Sequence, residues 1–559
     1  MSMAEATRVL TGPGGPFEIG QATVGGRPTR IWQTVPQTTR ELVESMVRWG
    51  DREYLVYESD RLTYADAFVR IATLAARMRA QLGIAKGDRV AIAMRNYPEW
   101  ALCLWASTSL GAIAVPLNAW WQGEELAYGL TDSGARLLFA DEERIERLLP
   151  HRAALGVQVV AVRAASSHPG DLGFDELLAG PPERELPPAE VAPEDDATIF
   201  YTSGTTGRPK GALGTHRNLC TNVGSSAFAR ARRALQEGEA PPGEDQQAIT
   251  LVSVPFFHVT GCHSRLAIGT FQGGKIITMR RWDPTEALRL IDQERVTGIG
   301  GVPAVVWQLL ESPDLQHYDT SSIKVVAYGG APAAPELVRR LKETFPHAVP
   351  SNGYGLTETS AVTAINVGED YRRKPDSVGA PVPVCDVKII DEQGQTLPVG
   401  AVGQLCIRGP NVIRGYWQRP EATAEVFRDG WLHSGDVARL DDEGFIYVLD
   451  RKKDMLIRGG ENVYCVEVES ALHSHPDVLD VAVIGIAHRV LGEEVGAVVQ
   501  GRPGANLTME TLQAHARQRL AHFKVPARVA FRDAALPRNA NGKILKRTLR
   551  EELGWDQLS

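Results

Sequence analysis

Between residues 62 and 140 the chain switches repeatedly between two hydrophobic periods, and this alternation restricts its fold more than any other feature. From Thr63 to Leu82 apolar residues recur at helical spacing, at Phe68, Ile71, Leu74, Ala75, Met78 and Leu82. Thr63 and Asp66 have capping-box spacing, and Gly83 follows the end. A strand is predicted at Val90–Met94, then a buried helix over Glu99–Leu110 and a strand at Ala112–Val115. A helix near Glu124–Leu130 and a strand at Leu137–Ala140 follow. Such alternation implies a mostly parallel sheet covered by helices. The pattern resumes with strands near Ile249–Val254, Lys275–Met279 and Val325–Tyr328.

Polar or Pro-rich stretches at Pro181–Asp196 and Gln236–Gln247 are expected to be surface loops within one unit. After about residue 380 short strands with glycine turns dominate, at Val387–Ile390, Gln404–Arg408 and Phe445–Val448, which predicts a small β-rich subdomain. From about 451 the pattern is α+β: a helix at Val466–Leu472, a strand at Val478–Ile484 and a helix near Met509–Leu520.

Trp100–Leu117 is long and apolar enough to raise the question of a membrane span. Ser107, Thr108, Ser109, Gly111 and Pro116 interrupt it, so a buried helix and strand are expected instead. Residues 1–20 hold no apolar core of a signal peptide. With 43% apolar and 23% charged residues the chain is neither disordered nor fibrous. The net charge of −8 is spread without long blocks, so nucleic acid is not an expected partner. The six cysteines are scattered with no CxxC pair, which argues against a disulfide framework or zinc ribbon and suits a cytoplasmic location.

The segment from Thr202 to Lys210, Thr-Ser-Gly-Thr-Thr-Gly-Arg-Pro-Lys, follows a predicted strand at Thr198–Tyr201. Thr202, Ser203, Thr205 and Thr206 supply hydroxyls, and Gly204 and Gly207 allow close backbone approach. Hydroxyls and amide N–H groups suit phosphate oxygens, and Lys210 supplies charge. The spacing is not that of a Walker loop, because Gly204 and Gly207 are too close and Lys210 precedes Gly211. No dinucleotide fingerprint appears in a strand–helix context either.

This loop resembles the signature loop of the class I adenylate-forming superfamily: acyl-CoA synthetases, peptide-synthetase adenylation domains and beetle luciferases. The likeness runs over roughly residues 40–550 and is nearest to stand-alone fatty-acid or aryl-alkanoic-acid CoA ligases. Asn352-Gly353-Tyr354-Gly355-Leu356-Thr357-Glu358 resembles the second motif. It implies that Tyr354 lies against adenine, Asn352 reads its edge, Thr357 donates to the α-phosphate and Glu358 ligates Mg²⁺. Gly329-Gly330-Ala331-Pro332 resembles the turn on the other face of adenine. Trp431-Leu-His-Ser-Gly-Asp436 is similar to the ribose motif, with Arg451 as a second ribose contact. Lys453 occupies the hinge position, Gly459, Gly460 and Glu461 the coenzyme A tunnel, and Lys543 the place of the lysine that bridges carboxylate and α-phosphate.

The fold implied is α/β: a large N-terminal domain of parallel-type sheets covered by helices plus the β-rich subdomain, residues 1–452, followed by a small mobile α+β C-terminal domain, residues 453–559. The function implied is ATP-dependent activation of an apolar carboxylic acid as acyl-AMP, releasing pyrophosphate, then transfer to coenzyme A. The alternative is a stand-alone enzyme that loads a phosphopantetheinyl carrier protein. Lys543, Thr357, Glu358 and Lys210 are the catalytic candidates, ATP and coenzyme A the substrates, Mg²⁺ the metal, and a homodimer the expected assembly. Acyl-pocket candidates are His258, Val259, Gly261, Cys262, Val302, Trp307, Gly329 and Gly330. Trp307 is the one bulky side chain among them, and no fixed cation is expected there to meet a second carboxylate. His258 is read as a gate and not, with Cys262 and His263, as a zinc site. Cys465, His473 and His475 are read as structural, and Ser203 lacks the elbow of a serine hydrolase.

Overall fold

Thr63 and Asp66 close the capping box foreseen for them: the Asp66 N–H donates to Thr63 Oγ1 at 3.0 Å and the Thr63 N–H to Asp66 Oδ2 at 3.3 Å. The helix that follows, Tyr64–Ala80, leads into the first sheet of the large domain. The computed structural model describes residues 1–164, 170–202, 208–239, 246–329, 335–452, 454–459, 461–539 and 542–555.

The first sheet has a parallel centre of Arg89–Ala93, Ile113–Pro116, Leu137–Asp141 and Gln158–Val162. Asp196–Thr202 extends it in parallel, and Lys210–Thr215 then turns back antiparallel. A second sheet aligns Glu53–Tyr57, Lys275–Thr278, Ile249–Val252, Gly298–Gly301, Val325–Gly329 and Val349–Tyr354 in parallel. Ala364–Val367 pairs antiparallel with Val349–Tyr354, and Ala380–Pro381 forms the edge beyond it.

The helix Pro98–Ser109 lies between these sheets, with every residue except Glu99 buried. One apolar cluster joins its Trp100 and Trp105 to Val90 and Phe139 of the first sheet and Tyr54 and Val252 of the second. A helix covered on both sides is apolar all round, which explains the long hydrophobic run. Three of its polar side chains are met inside: Trp105 Nε1 donates to Tyr54 Oη at 3.0 Å, and Ser107 and Thr108 donate to the carbonyls of Cys103 and Leu104. Among the described residues no helix is long and apolar enough to cross a membrane.

Asp386–Ile390, Gly403–Arg408, Trp431–Leu440 and Ile446–Arg451 form the β-rich part. Its last strand begins one residue later than foreseen and runs on to Arg451, which brings Arg451 opposite Asp436. Beyond it, Val478–His488, Gly492–Gly501 and Arg528–Arg532 build a separate sheet. The helices Cys465–His473 and Met509–Arg517 contribute to an apolar cluster of that sheet's own. The first forty residues, for which the sequence suggested nothing, form a helix at Met3–Thr11 and a hairpin of Ile19–Val24 with Arg27–Trp32. Trp32 stacks on Phe228 of the long helix His216–Glu237, with ring centroids 5.3 Å apart.

The loop after Ile113–Pro116 is held by a buried ion pair. Arg144 and Asp141 are 1% and 5% exposed and pair through two contacts, and Arg144 Nη1 also donates to the Ala119 carbonyl at 3.0 Å. Removing one partner of such a pair leaves a buried charge and costs about 3–5 kcal/mol. Arg144→Ala should therefore lower the urea midpoint of the large domain markedly. The double variant Arg144→Met/Asp141→Asn should recover part of the loss, because neither residue then carries an unpaired charge. A midpoint unchanged in Arg144→Ala would show that the pair does not hold this loop.

Candidate functional site

Two neighbouring parallel strands of the second sheet, Gly298–Gly301 and Val325–Gly329, end in glycine, and Val349–Tyr354 beside them contains Gly353 and is followed by Gly355. Gly329 lies so near Gly353 that a Cβ on it would approach the Gly353 carbonyl oxygen to 2.5 Å. Past Tyr354 the chain turns sharply: a Cβ on Gly355 would fall 1.3 Å from the Ala361 carbonyl oxygen. The single turn Thr357–Thr359 follows, and then Ser360 and Ala361, both non-glycine residues at positive φ (51° and 88°). Such backbone persists only where its surroundings hold it. Asn411, fully buried, donates to the carbonyls of Thr359 (3.3 Å) and Val362 (2.9 Å), and His263 Nδ1 lies 3.2 Å from the Ser360 carbonyl oxygen. A carbonyl can only accept, so His263 carries its proton on Nδ1. Burial keeps this ring neutral and holds its pKa down to about 4.

This turn sets Thr357 and Glu358 on the wall of a cavity of about 1340 Å³. Lys210 and Thr202 come from the first sheet, where they pair across adjacent strands, and Thr202 Oγ1 donates to the Lys210 carbonyl at 3.3 Å. Tyr416 links the two sides. Its hydroxyl donates to Glu358 Oε1 at 2.6 Å, and Lys210 Nζ sits 5.4 Å from its ring centroid. Lys543 reaches the same cavity from the C-terminal domain, on a turn where its N–H donates to Asn539 Oδ1 at 3.0 Å. Gly542 packs on Val302, and a Cβ there would lie 2.7 Å from Val302 Cγ2.

Asp436 is 3% exposed. It accepts from the Tyr354 hydroxyl at 2.5 Å and faces Arg451 Nε at 3.4 Å. Two sequence-distant motifs thus meet at one carboxylate. Along Val349–Tyr354, Ser351 and Gly353 face the cavity, whereas Asn352 is buried on the other face, as a period of two requires. Ser203, Gly204, Thr205, Thr206, Gly207, Gly330, Ala331, Pro332, Lys453 and Gly460 lie outside the described residues. Gly459 and Glu461 are exposed on the hairpin Leu456–Arg458 with Glu461–Val463, away from this cavity wall. Cys465 is buried, its Sγ donates to the Asp454 carbonyl, and burial pushes its thiol pKa up, as a structural role requires.

The acyl pocket needs correction. His258, Val259, Val302 and Gly329 line the cavity, but Gly261, Cys262 and Trp307 do not. Gly261 instead allows close packing on the Pro255 carbonyl, which a Cβ would approach to 2.1 Å, and Cys262 points into the apolar core. Trp307 lies on the far side of the helix Pro303–Leu310, whose N-terminal flank Val302 faces the cavity. It stacks on His473 of the C-terminal domain, rings 5.4 Å apart and 14° from parallel, and Glu311 at the same helix end pairs with Arg502. Arg265, which lies in none of the predicted stretches, also lines the cavity. Sequence reading missed Asn411, Tyr416 and Arg265, which belong to none of the motifs; the only signal was that Arg265 lies seven residues past His258.

Glu358 suits Mg²⁺, which takes one or two protein carboxylates and completes its shell with phosphate oxygens and water. One of its oxygens already accepts from Tyr416, which fixes the orientation of the carboxylate. Among the described residues no group of three or more His, Cys, Asp or Glu could hold a metal without such help.

A family profile described as AMP-binding enzyme matches residues 42–417, and a second, AMP-binding enzyme C-terminal domain, matches 467–543. This chain belongs to the AMP-binding enzyme family. It is 38% identical over 498 residues to a feruloyl-CoA synthase of Amycolatopsis sp, covering 88% of this chain and 94% of that one. It is 34% identical over 537 residues to a long-chain-fatty-acid–CoA ligase of Bacillus subtilis, covering 91% and 93%. Among solved structures, ATP-bound MatB from Rhodopseudomonas palustris matches with TM-score 0.80 and 30% identity over 91% of this chain and 98% of that chain. The o-succinylbenzoate CoA synthetase of Bacillus subtilis, in complex with its acyl-adenylate, matches with TM-score 0.76 and 31% identity over 91% and 97%.

The placement of Trp307 is directly testable in this AMP-binding enzyme. Trp307→Ala should leave the ranking of carboxylic acids unchanged while loosening the C-terminal domain, read as faster proteolytic cleavage near residues 452–460. A shifted acid ranking with unchanged cleavage would return Trp307 to the acyl pocket.

Proposed function

We propose that this AMP-binding enzyme is an acyl-CoA synthetase that converts an apolar carboxylic acid, fatty or aryl-alkanoic, to its acyl-AMP and then passes the acyl group to coenzyme A. The observation that carries the reading is the convergence of Lys543 from the C-terminal domain with Lys210, Thr357 and Glu358 on one cavity. Relatives named as CoA ligases, matched over nearly their full length, support the acceptor.

A carboxylate resists nucleophiles because of its charge and lacks a leaving group. Its attack on the α-phosphate of ATP expels pyrophosphate and yields a mixed anhydride from which AMP can depart. Negative charge gathers on the phosphate oxygens in that transition state, and preorganised donors and cations stabilise it. In this reading Lys210, the Thr357 hydroxyl and Lys543 supply them, with Lys543 between the carboxylate and the α-phosphate. Glu358 would hold Mg²⁺, which screens the phosphate charge when bound. Asp436 and Arg451 would hold the ribose, and Tyr354 orients Asp436 through its hydroxyl. The hinge at Lys453 and the domain division at 452 remain part of the proposal, as does access of the thiol past Gly459 and Glu461 after the C-terminal domain turns.

The cavity exceeds the upper end, about 1,000 Å³, of ordinary small-molecule sites. It has room for a nucleotide and an extended acyl tail together. A panel of acids assayed for pyrophosphate release, and for thioester with free coenzyme A, tests the reading. Pyrophosphate release without thioester would point to a carrier-protein acceptor.

Lys543→Ala should cripple pyrophosphate release while sparing thioester formation from supplied acyl-AMP, because it serves charge present only in the first transition state. Equal loss in both half-reactions would contradict the assignment. Asp436→Ala should raise the KM for ATP by about 10- to 150-fold, the worth of a charge-assisted hydrogen bond of about 1.5–3 kcal/mol, with the acid profile unchanged. An altered acid profile at constant ATP KM would move Asp436 out of the nucleotide site.

A further inference from the structure

We propose that the acyl substrate carries an oxygen acceptor on its tail and that Arg265 selects for it. This rests on the acid-activating reading above. Arg265 stands on a single π-helical turn, Cys262–Ala267. On that turn Cys262, Leu266 and Ala267 are buried in the apolar core, and His263 braces the Ser360 carbonyl. Arg265 turns the other way, into the cavity beneath the second sheet.

The space it fills is made for it. Arg265 Nη2 donates to the Ala327 carbonyl at 3.0 Å, and a Cβ on Gly300 would lie 2.9 Å from the same nitrogen. Among the described residues no carboxylate pairs with Arg265. Burial alone pulls its pKa down, to about 10, so it stays a cation at neutral pH. A guanidinium has five N–H donors, and an interior cation without an anion is costly. On the same wall Arg233 shows the usual arrangement, paired with Glu237 and Glu239. Among the described residues Arg265 has only a neutral carbonyl as partner, and it lines the space where, in this reading, the acyl tail runs.

The location sets the tail's geometry. Ala327 lies two residues before Gly329, which pairs with Gly353, and Gly329 and Thr357 line the same cavity. At about 3.3 Å per residue, Arg265 meets the tail roughly 7 Å below the reacting carboxylate. The acceptor therefore follows a short spacer. An unsubstituted chain would pass the guanidinium and leave it unsatisfied, whereas a ketone, hydroxyl or second carboxylate at that depth would meet it.

The test compares matched acids on the intact wild-type enzyme: hexanoate, its penultimate-carbon keto derivative and adipate, and phenylpropionate with its para-hydroxylated counterpart. Each is assayed for pyrophosphate release and for thioester with coenzyme A. At least one oxygenated member should exceed its parent in kcat/KM by about 10- to 100-fold, the range of a hydrogen bond to a charged group. Preference for the keto or hydroxyl member assigns a neutral oxygen, and preference for adipate a second carboxylate. Arg265→Leu should bring that ratio near one, and Arg265→Lys, which keeps charge but not the planar fork, should fall between. If Arg265→Leu does not fold, the wild-type ratios and Arg265→Lys still decide. Wild-type turnover of the unsubstituted acids with no preference for any oxygenated partner sinks this inference alone. No pyrophosphate and no thioester from any member of the panel sinks the reading beneath it as well.

Discussion

The site depends on one strained turn. Gly355 sits so close to the Ala361 carbonyl that no side chain fits there, and Ser360 and Ala361 both adopt left-handed backbone. Each such residue costs on the order of 1–3 kcal/mol unless its surroundings fix it. Asn411 and His263 bond the carbonyls on either side, and both are buried, so water cannot compete for those bonds. The turn carries Thr357 and Glu358, and the Tyr416 hydroxyl then locks the Glu358 carboxylate against the strand pair that holds Lys210.

The second element is the way the C-terminal domain docks. The helix Pro303–Leu310 acts as a strut: Val302 at its start meets Gly542, Trp307 stacks on His473, and Glu311 at its end pairs with Arg502. These contacts bring Lys543 to the cavity. They are a stack, an ion pair and a van der Waals contact, not a continuous apolar core. The two domains keep separate cores, and such a boundary can open at small cost compared with unfolding either side.

Much of the fold was legible because its signals are local. The capping box at Thr63, the buried helix before Ile113 and the parallel strands around it follow from hydrophobic period and end signals. Lys210, Asp436 and Lys543 stood out in the sequence because short motifs need particular residue types at particular spacings. Trp307 was misread because position in a motif does not tell which face of a helix a side chain takes. Asn411 and Tyr416 escaped because their roles consist of bonds to residues 49 to 58 positions away.

The sequence by itself determined the layered α/β fold, the nucleotide-type motifs and the family, since each depends on local periodicity or on an ordered set of short motifs. The tertiary structure decided which motifs meet. Tyr354 and Asp436 are 82 positions apart and share a hydrogen bond, and Lys210, Glu358 and Lys543 line one cavity. It also decided which charged side chains line that cavity. Arg265 is one arginine among many in the sequence, and only the packing of its turn against Gly300 and Ala327 sets it on the cavity wall, away from every described carboxylate. Placement on a cavity wall and distance from the described carboxylates are properties of the assembled surroundings, and no spacing along the chain encodes them.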